Sequence, residues 1–247
     1  MRITFLGTGD AVGTPKIGCK CPACLDARKS GSRSRRYRPG LLLSDGRLNV
    51  LIETGPDLRS QLLEFGVENI DAVIWSHSHR DHAGGFGDFW RVKNNMPVYG
   101  ERRVLDYVLG EFHFMTFERH DCGLYQSFTI GELEFTLFEV THPPIVIATG
   151  MRVRHGEKTM VYTGDTNLQI PEASLQLMRD ADLLIADAIV PPPIVIDKHM
   201  NAADVAELAK NVGAKRTVLT HLAHLYPPHD EAIKKYPLGY DGLVVDL

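Results

Sequence analysis

Three histidines and an aspartate fall within six positions, at His77, His79, Asp81 and His82. The run before them, 70–75, is apolar with β-branched and aromatic members, which predicts a buried strand. Because His77 and His79 are two residues apart in extended backbone, their imidazoles leave on the same side. Asp81 and His82 follow at a turn, where the chain can return over the same cavity. Since imidazole and carboxylate are the usual ligands of a catalytic divalent metal, this stretch predicts a metal site at a strand end.

The composition is that of an ordinary globular domain. The 247 residues are 44% hydrophobic and 23% charged, and the net charge of −4 gives no general attraction for nucleic acid or an anionic membrane. No apolar run is long enough to span a bilayer, and residues 1–7 are too short for a signal peptide. With neither a membrane span nor a signal peptide, we expect a cytoplasmic protein. No linker divides the chain, so we expect a single domain over 1–247.

The second half of the sequence repeats one pattern, in which an apolar run that predicts a strand is followed by a potential ligand. The runs are 133–140, 159–163, 183–186 and 217–220, and the residues at or past their ends are His142, Asp165, Asp187 and His221. Helices are predicted between them. In sheets flanked by helices, ligands gather beyond the carboxyl ends of strands, so dispersed residues can meet in one site. This pattern predicts an α/β fold.

The number of donors predicts the number of ions. A single catalytic ion takes three protein ligands and water, whereas seven nitrogen and oxygen donors suit two ions that share a carboxylate. We expect one ion at His77, His79 and His142, the other at Asp81, His82 and His221, and Asp165 between them. Two such ions can hold a bridging hydroxide as the nucleophile, although these donors do not choose between Zn²⁺, Mn²⁺ and Fe. Asp187 is expected to fix a ligand imidazole from behind.

A second metal signal lies in a loop at about 18–38. Cys19, Cys21 and Cys24 fall within six residues, which suits a structural Zn²⁺ that takes one more ligand from elsewhere. Three free buried thiols are the alternative.

The same loop is strongly basic, with six arginines and lysines between 28 and 38. Such a run is either a solvated loop or a guanidinium-lined rim for substrate phosphate, because arginine forks match phosphate oxygens. Arg33, Arg35 and Arg36 are the candidate phosphate contacts.

The histidine and aspartate series resembles the motif series of the metallo-β-lactamase superfamily over nearly the whole chain. The residues that carry the resemblance are His77-x-His79-x-Asp81-His82, His142, Asp165 and His221. This resemblance implies a four-layer αββα sandwich with the site at the edge of its two sheets. One strand end that usually carries Asp in the family carries Glu53 here, which we expect to contact a ligand rather than the metal.

The cysteine loop and the ending Thr220-His221-Leu222-Ala223-His224 are similar to one branch of that superfamily, the phosphoribosyl 1,2-cyclic phosphate phosphodiesterases. By this resemblance, His224 completes the zinc site and His199 acts at the leaving group. The implied cofactors are two divalent ions, Mn or Zn, in the active site and one structural zinc.

We therefore expect a phosphodiesterase that hydrolyses a small cyclic ribose or nucleotide phosphodiester, with Asp81 and His199 as catalytic residues. His199 would give the departing alkoxide its proton. Three alternatives stay open: a tRNA 3′-processing nuclease, a thioester hydrolase of the same fold, and a non-catalytic metabolite-binding protein. The acidic balance argues against the nuclease, the cysteine loop against the thioester hydrolase, and the complete donor set against the binding protein. No membrane partner is expected, and a homodimer is left open.

Overall fold

Alternation along the strands builds two sheets that share one apolar layer. The computed structural model describes residues 1–247. In strand β2 (Gly40–Ser44), Leu41 and Leu43 pack between the sheets, while Leu42 packs on the outer side. Strand β11 (Leu183–Asp187) repeats this pattern from the facing sheet. Successive side chains of a strand leave on opposite faces, so strands that are apolar throughout need cover on both sides.

The remaining strands are β1 Arg2–Gly7, β3 Asn49–Ile52, β4 Ala72–Ile74, β5 Met96–Gly100, β6 Phe117–Asp121, β7 Ser127–Ile130, β8 Leu133–Val140, β9 Ala148–His155, β10 Lys158–Tyr162, β12 Thr217–Thr220 and β13 Val244–Asp246. The helices are α1 Pro22–Asp26, α2 Leu58–Glu64, α3 Arg80–Ala83, α4 Arg102–Glu111, α5 Glu172–Met178, α6 Ala202–Val212 and α7 His229–Ala232, with one 3₁₀ turn at Phe86–Phe89. No helix combines the length and apolarity that crossing a bilayer requires.

The two sheets bring several strand ends of like direction to the same region. The first sheet has the order β13-β1-β2-β3-β4-β5-β6, in which β3 to β6 are parallel. The second has the order β12-β11-β10-β9-β8-β7. In this sheet β10, β11 and β12 are parallel, and β8 shares their direction because β9 is antiparallel to both of its neighbours. Four strands of the second sheet therefore present their carboxyl ends at one edge.

Helices cover the outer face of each sheet and complete four layers. On the first sheet, α2, α4 and the 3₁₀ turn enclose Trp75 and Phe86, whose ring centroids are 4.9 Å apart. On the second sheet, α5, α6 and α7 enclose a separate apolar layer. The expected αββα sandwich is confirmed. Each large buried ring, such as Phe135 between the sheets, contributes about 1.5–3 kcal/mol by leaving water.

Three strands, β6, β7 and β9, are not predicted by the sequence. Strands β6 and β7 lie at the edges of the two sheets, and most of their residues are exposed or half-buried. Strand β9 lies inside the second sheet but places Arg152 and Arg154 on one face. None of these three segments has an uninterrupted apolar run, because each has a face that water or polar side chains can reach.

Candidate metal centre

One short segment brings four potential ligands to the end of β4. The strand ends at Ile74, and His77 is fully buried beyond it. The backbone stays extended at His79 and then enters the one-turn helix α3, which turns His82 back toward His77. The ring centroid of His77 lies 4.8 Å from that of His79 and 4.1 Å from that of His82. Because the backbone changes from strand to helix within this short segment, its four potential ligands can form two pairs.

The second sheet supplies the other donors from its strand ends. His142 follows β8, Asp165 follows β10, and His221 follows β12, and each of them is buried. Their side chains meet the β4 segment, so donors that lie far apart in sequence converge at one edge of the sandwich.

The donors form two groups that share Asp165. In the first group, His142 Nε2 lies 3.2 Å from His79 Nδ1 and 3.8 Å from Asp165 Oδ2, and His77 Nε2 lies 3.7 Å from the same carboxylate oxygen. One ligand atom from each of these four residues lies within 4.8 Å of the others. This spacing fits donors arranged around a single cation rather than donors bonded to one another.

The second group has the same character. His221 Nε2 lies 3.3 Å from Asp81 Oδ2 and 3.4 Å from Asp165 Oδ2. His82 Nε2 lies 3.4 Å from Asp81 and 3.3 Å from Asp165. The structure therefore brings all seven predicted donors together, in the grouping that the donor count predicts.

Several buried atoms of the centre have no hydrogen-bond partner. They include His77 Nε2, His82 Nε2 and Asp165 Oδ1. Buried polar atoms are nearly always satisfied, and an unpaired one costs about 1–3 kcal/mol. The residues therefore fit divalent metal binding, which is also what the fold implies.

The charge of the centre leads to the same conclusion. Burial opposes ionisation of Asp165, but the neighbouring imidazoles, His221 first, hold the pKa of its carboxyl well below the ordinary value. For His82, burial lowers the pKa, but Asp165, Asp81 and Glu53 raise it well above the ordinary value. Burial and the neighbouring imidazoles instead lower the pKa of His77. The carboxylates thus require positive charge beside them.

Polar groups beside the Nδ1 atoms orient the ligand rings from behind. Glu53 Oε1 lies 3.4 Å from His82 Nδ1, and Ser76 Oγ lies 2.9 Å from His77 Nδ1. The carbonyl oxygen of Lys198 accepts from His142 Nδ1 at 3.0 Å. Such partners select the tautomer that leaves the other ring nitrogen for a metal. The roles of Ser76 and Lys198 were missed in the sequence, because a backbone carbonyl carries no residue-type signal and Ser76 is one of many serines.

Asp187 contacts two imidazoles. Its Oδ2 accepts from His199 Nδ1 at 2.7 Å, and its Oδ1 lies 3.5 Å from His221 Nδ1. The His199 ring stacks on that of His221 at 5.0 Å between centroids and lies 4.7 Å from that of His142. His199 is therefore held at the wall of the centre by a carboxylate, and its Nε2 makes no hydrogen bond within the protein.

The cysteine loop meets His224. The Sγ atoms of Cys19 and Cys21 lie 3.6 and 3.4 Å from His224 Nδ1, and Cys24 completes a group within 4.8 Å. Sulfur and nitrogen ligands of one tetrahedral Zn²⁺ would be about 3.5 Å apart, given the usual metal–ligand bond lengths. All four cysteines are free of disulfides. This donor set fits a zinc ion.

The basic segment does not line the metal centre. Arg36 is buried and donates to Thr8 Oγ1 and to the Gly239 carbonyl at 2.6 and 2.7 Å. The expectation that Arg36 binds substrate phosphate is wrong, because its guanidinium is already used inside the protein. Arg33 and Arg35 line a separate cavity that includes no donor of the metal centre.

A family profile described as the beta-lactamase superfamily domain matches residues 48–222, most of the chain. The chain belongs to this superfamily. It is a metal-dependent hydrolase with the metallo-β-lactamase fold, near the PhnP branch.

The hydrolase is 29% identical over 222 residues to the probable metallo-hydrolase YhfI of Bacillus subtilis, covering 83% of this chain and 87% of that protein. It is 28% identical over 257 residues to an octanoyltransferase of Porphyromonas gingivalis, covering 98% of this chain and 51% of that protein. The chain thus spans about half the length of the octanoyltransferase. In structure, it matches a diphosphatase from the PhnP family with a TM-score of 0.88 at 28% identity, covering 100% of this chain and 97% of that chain.

Gly164 offers a test of how the backbone positions the hydrolase's shared carboxylate. It has φ +60°, and a Cβ there would lie 2.7 Å from the Thr149 carbonyl oxygen and 3.0 Å from Ser76 Cβ. Gly164→Ala should therefore cost about 1–3 kcal/mol in unfolding free energy and weaken Mn²⁺ binding, because Asp165 must move.

The matched control is Gly156→Ala, which has φ +59° but open space around the added Cβ. It should cost only the backbone strain, about 1 kcal/mol, and leave Mn²⁺ binding unchanged. Unfolding in denaturant and Mn²⁺ titration measure both effects, and equal behaviour of the two variants would contradict this account.

Proposed function

We propose that the chain is a dinuclear metal-dependent phosphodiesterase that acts on a small phosphodiester, with a cyclic ribose or nucleotide phosphate as the expected substrate. The observation that carries this proposal is the pair of four-donor groups sharing Asp165, with His199 held beside them. Two divalent ions bound there, Mn or Zn, would activate water and neutralise charge on the phosphoryl oxygens.

The protein's own part is to present the donors in fixed positions. His77, His79 and His142 would hold one ion, and Asp81, His82 and His221 the other, with Asp165 between the two. Glu53 lies beside Nδ1 of His82, and Asp187 lies beside Nδ1 of His221. These contacts keep the two rings in place. Asp81 is counted as catalytic because its carboxylate lies between two imidazoles of the second group.

His199 is the proposed general acid. Asp187 accepts its Nδ1 proton at 2.7 Å, which fixes the ring and leaves Nε2 free to act at the leaving group. Cleavage of a phosphodiester releases an alkoxide, which needs a proton as the P–O bond breaks. Cleavage of a thioester releases a thiolate, which leaves without one. A carboxylate-supported imidazole at the centre therefore favours the phosphodiester over the thioester.

Similar proteins support chemistry at phosphorus. The structural neighbour at 28% identity is described as a diphosphatase from the PhnP family, and it covers nearly the full length of both chains. A small substrate agrees with a chain whose formal net charge is −4, since an RNA-processing enzyme needs a basic surface.

We further propose that Cys19, Cys21, Cys24 and His224 hold one structural zinc. Three soft sulfur ligands leave little room for substrate chemistry. The site joins the loop at about 18–38 to the end of β12, and Arg28 Nη1 strengthens the loop by donating to the Cys19 and Cys24 carbonyls at 3.1 and 3.0 Å. In this view residues 1–247 form a single domain.

A hydrolysis panel tests the proposed reaction. With Mn²⁺ or Zn²⁺ added, the enzyme should hydrolyse cyclic ribose phosphates or cyclic nucleotides and bis-p-nitrophenyl phosphate in preference to thioesters and pre-tRNA. Asp165→Asn, which weakens both donor groups, serves as the inactive control. Turnover of thioesters alone, or of pre-tRNA alone, would replace the proposal with one of its alternatives.

The role of His199 is tested by the leaving group. His199→Ala should lower kcat about 10²–10⁴-fold for a diester with an alkyl leaving group, but much less for a p-nitrophenyl ester, whose phenolate leaves without a proton. Metal content should not change. His120→Ala, at a half-exposed ring stacked on Tyr99, is the matched control and should behave as wild type. An equal loss on both esters would remove His199 from this role.

Metal analysis tests the proposed ion count against that of a non-catalytic binding protein. Wild-type protein should contain roughly three ions per chain, and Cys21→Ser should contain roughly two while keeping the Mn²⁺-dependent activity. Cys122→Ser is the control, because this buried thiol lies outside every donor group. A single zinc in wild type, lost in Cys21→Ser, would point to the binding protein instead.

A further inference from the structure

The helix that carries Asp81 and His82 is too short to keep its shape alone. Helix α3 has four residues, and the residue before it, His79, makes no side-chain cap. Forming the first turn of a helix is unfavourable, so an isolated turn needs bonds from elsewhere in the protein. Asp81 and His82 both belong to the second donor group. The positions of these two donors therefore depend on the contacts that fix α3.

Thr54 supplies such contacts at the carbonyl end of α3. It is fully buried and lies two residues after β3. Its amide donates to the His82 carbonyl oxygen at 2.6 Å, and its Oγ1 donates to the Ala83 carbonyl oxygen at 3.2 Å. Its own carbonyl oxygen accepts from the Gly85 amide at 2.7 Å. The last carbonyls of a helix have no partner inside the helix, and Thr54 satisfies two of them.

Trp75 fixes the direction of the Thr54 hydroxyl. The indole Nε1–H of Trp75 donates to Thr54 Oγ1 at 2.9 Å. Because an indole can only donate, the hydroxyl accepts from Trp75 and keeps its own hydrogen for Ala83. Trp75 is fully buried directly after β4, and its ring lies edge-on to Phe86 at 4.9 Å. Two buried hydrogen bonds thus connect the core of the first sheet, through Thr54, to α3.

Two glycines let the backbones approach closely enough for these bonds. A Cβ at Gly55 would lie 2.5 Å from the Asp81 carbonyl oxygen, and a Cβ at Gly85 would lie 2.1 Å from the Gly55 carbonyl oxygen. Neither position can carry a side chain unless the backbone moves. The segments 53–55 and 81–85 therefore pack backbone against backbone, so a shift at Thr54 is passed directly to α3.

The first donor group is held by other contacts. The carbonyl oxygen of Ser76, next to His77, accepts from the Thr149 amide at 2.9 Å and from Thr149 Oγ1 at 2.8 Å. Thr149 lies in β9 of the second sheet, so it holds the His77 end of the segment independently of Thr54. Loss of the Thr54 hydroxyl should therefore act on the second group and spare the first.

We propose that Thr54 is a positioning residue for the second group. Its hydroxyl, oriented by Trp75, presets α3 so that Asp81 and His82 face a cation before one arrives. Thr54 acts through the backbone of α3, since its bonds there go to main-chain atoms rather than to a donor side chain. This role rests on the proposed pair of ions, and it accounts for a buried hydroxyl that the proposed hydrolysis does not use.

Mn²⁺ titration of chelator-treated protein, followed by electron paramagnetic resonance, tests this role without turnover. Thr54→Val keeps the shape of the side chain but removes the hydroxyl. It should weaken binding of one of the two ions about tenfold or more, as for other groups that orient metal ligands. Thr54→Ser restores the hydroxyl and should bind both ions as wild type does. In a His79→Ala background, which removes a donor of the first group only, Thr54→Val should weaken the ion that remains.

The matched control is Thr136→Val. Thr136 is also buried, its Oγ1 lies 2.9 Å from Ser127 Oγ across the β7–β8 pair, and neither residue belongs to a donor group. Both valine variants lose a buried hydroxyl and should lower the free energy of unfolding, but only Thr54→Val should weaken Mn²⁺ binding. Hydrogen exchange at the amides of 82–85, measured without Mn²⁺, should likewise be faster in Thr54→Val alone.

Several outcomes would overturn the role of Thr54. They are unchanged Mn²⁺ binding in Thr54→Val, equal weakening in Thr136→Val, failure of Thr54→Ser to restore binding, and unchanged exchange at 82–85. A wild-type centre that bound a single Mn²⁺ would instead contradict the proposed pair of ions. Even then, weaker binding of that ion in Thr54→Val alone would support the positioning role, and unchanged binding would overturn it.

Discussion

The Asp165 carboxylate lies almost wholly out of water, and four imidazoles face its Oδ2 within 3.3–3.8 Å. Burying a carboxylate costs several kcal/mol unless positive charge accompanies it. Glu53, Asp81 and Asp187 add further negative charge around the same point. The edge of the sandwich is therefore stable only with compensating cations or protonated rings, and this demand links the folding of the edge to its chemistry.

The rest of the fold serves to place that carboxylate and its partners. Donors from both sheets can meet because four strands of the second sheet end at the same edge as β4 of the first. The backbone adopts conformations there that non-glycine residues rarely use, with φ +65° at Glu53 and +56° at His221. Such strain persists where packing overdetermines it, and here it directs a carboxylate and an imidazole into the centre.

Basic residues that lie together in sequence separate into different tasks in the structure. Arg36 is an internal strut between Thr8 and Gly239, Arg28 supports the cysteine loop, and Arg33 stays free on Tyr240. Because a charged side chain can be buried only where acceptors await it, the fate of each arginine depends on the local supply of carbonyl and carboxylate oxygens. The basic run is thus neither a uniform solvated loop nor a rim of the metal centre.

The sequence by itself determined the fold class, the superfamily and the set of donor residues. The spacing of histidines and aspartate can be read locally, because four of the donors fall within six positions, from His77 to His82. Apolar runs that end in His142, Asp165 and His221 carry the same information about the second sheet. What only the tertiary structure decided is which groups stand behind the donors besides the predicted Glu53 and Asp187, and where the arginines point. How distant loops pack decides that the Lys198 carbonyl lies behind His142 and that Asp187 contacts His199 as well as His221. It also decides that His229 Nε2 is buried without a partner. Packing distances between residues far apart in the chain leave no periodic pattern in a single sequence, so these features become visible only when the chain is folded.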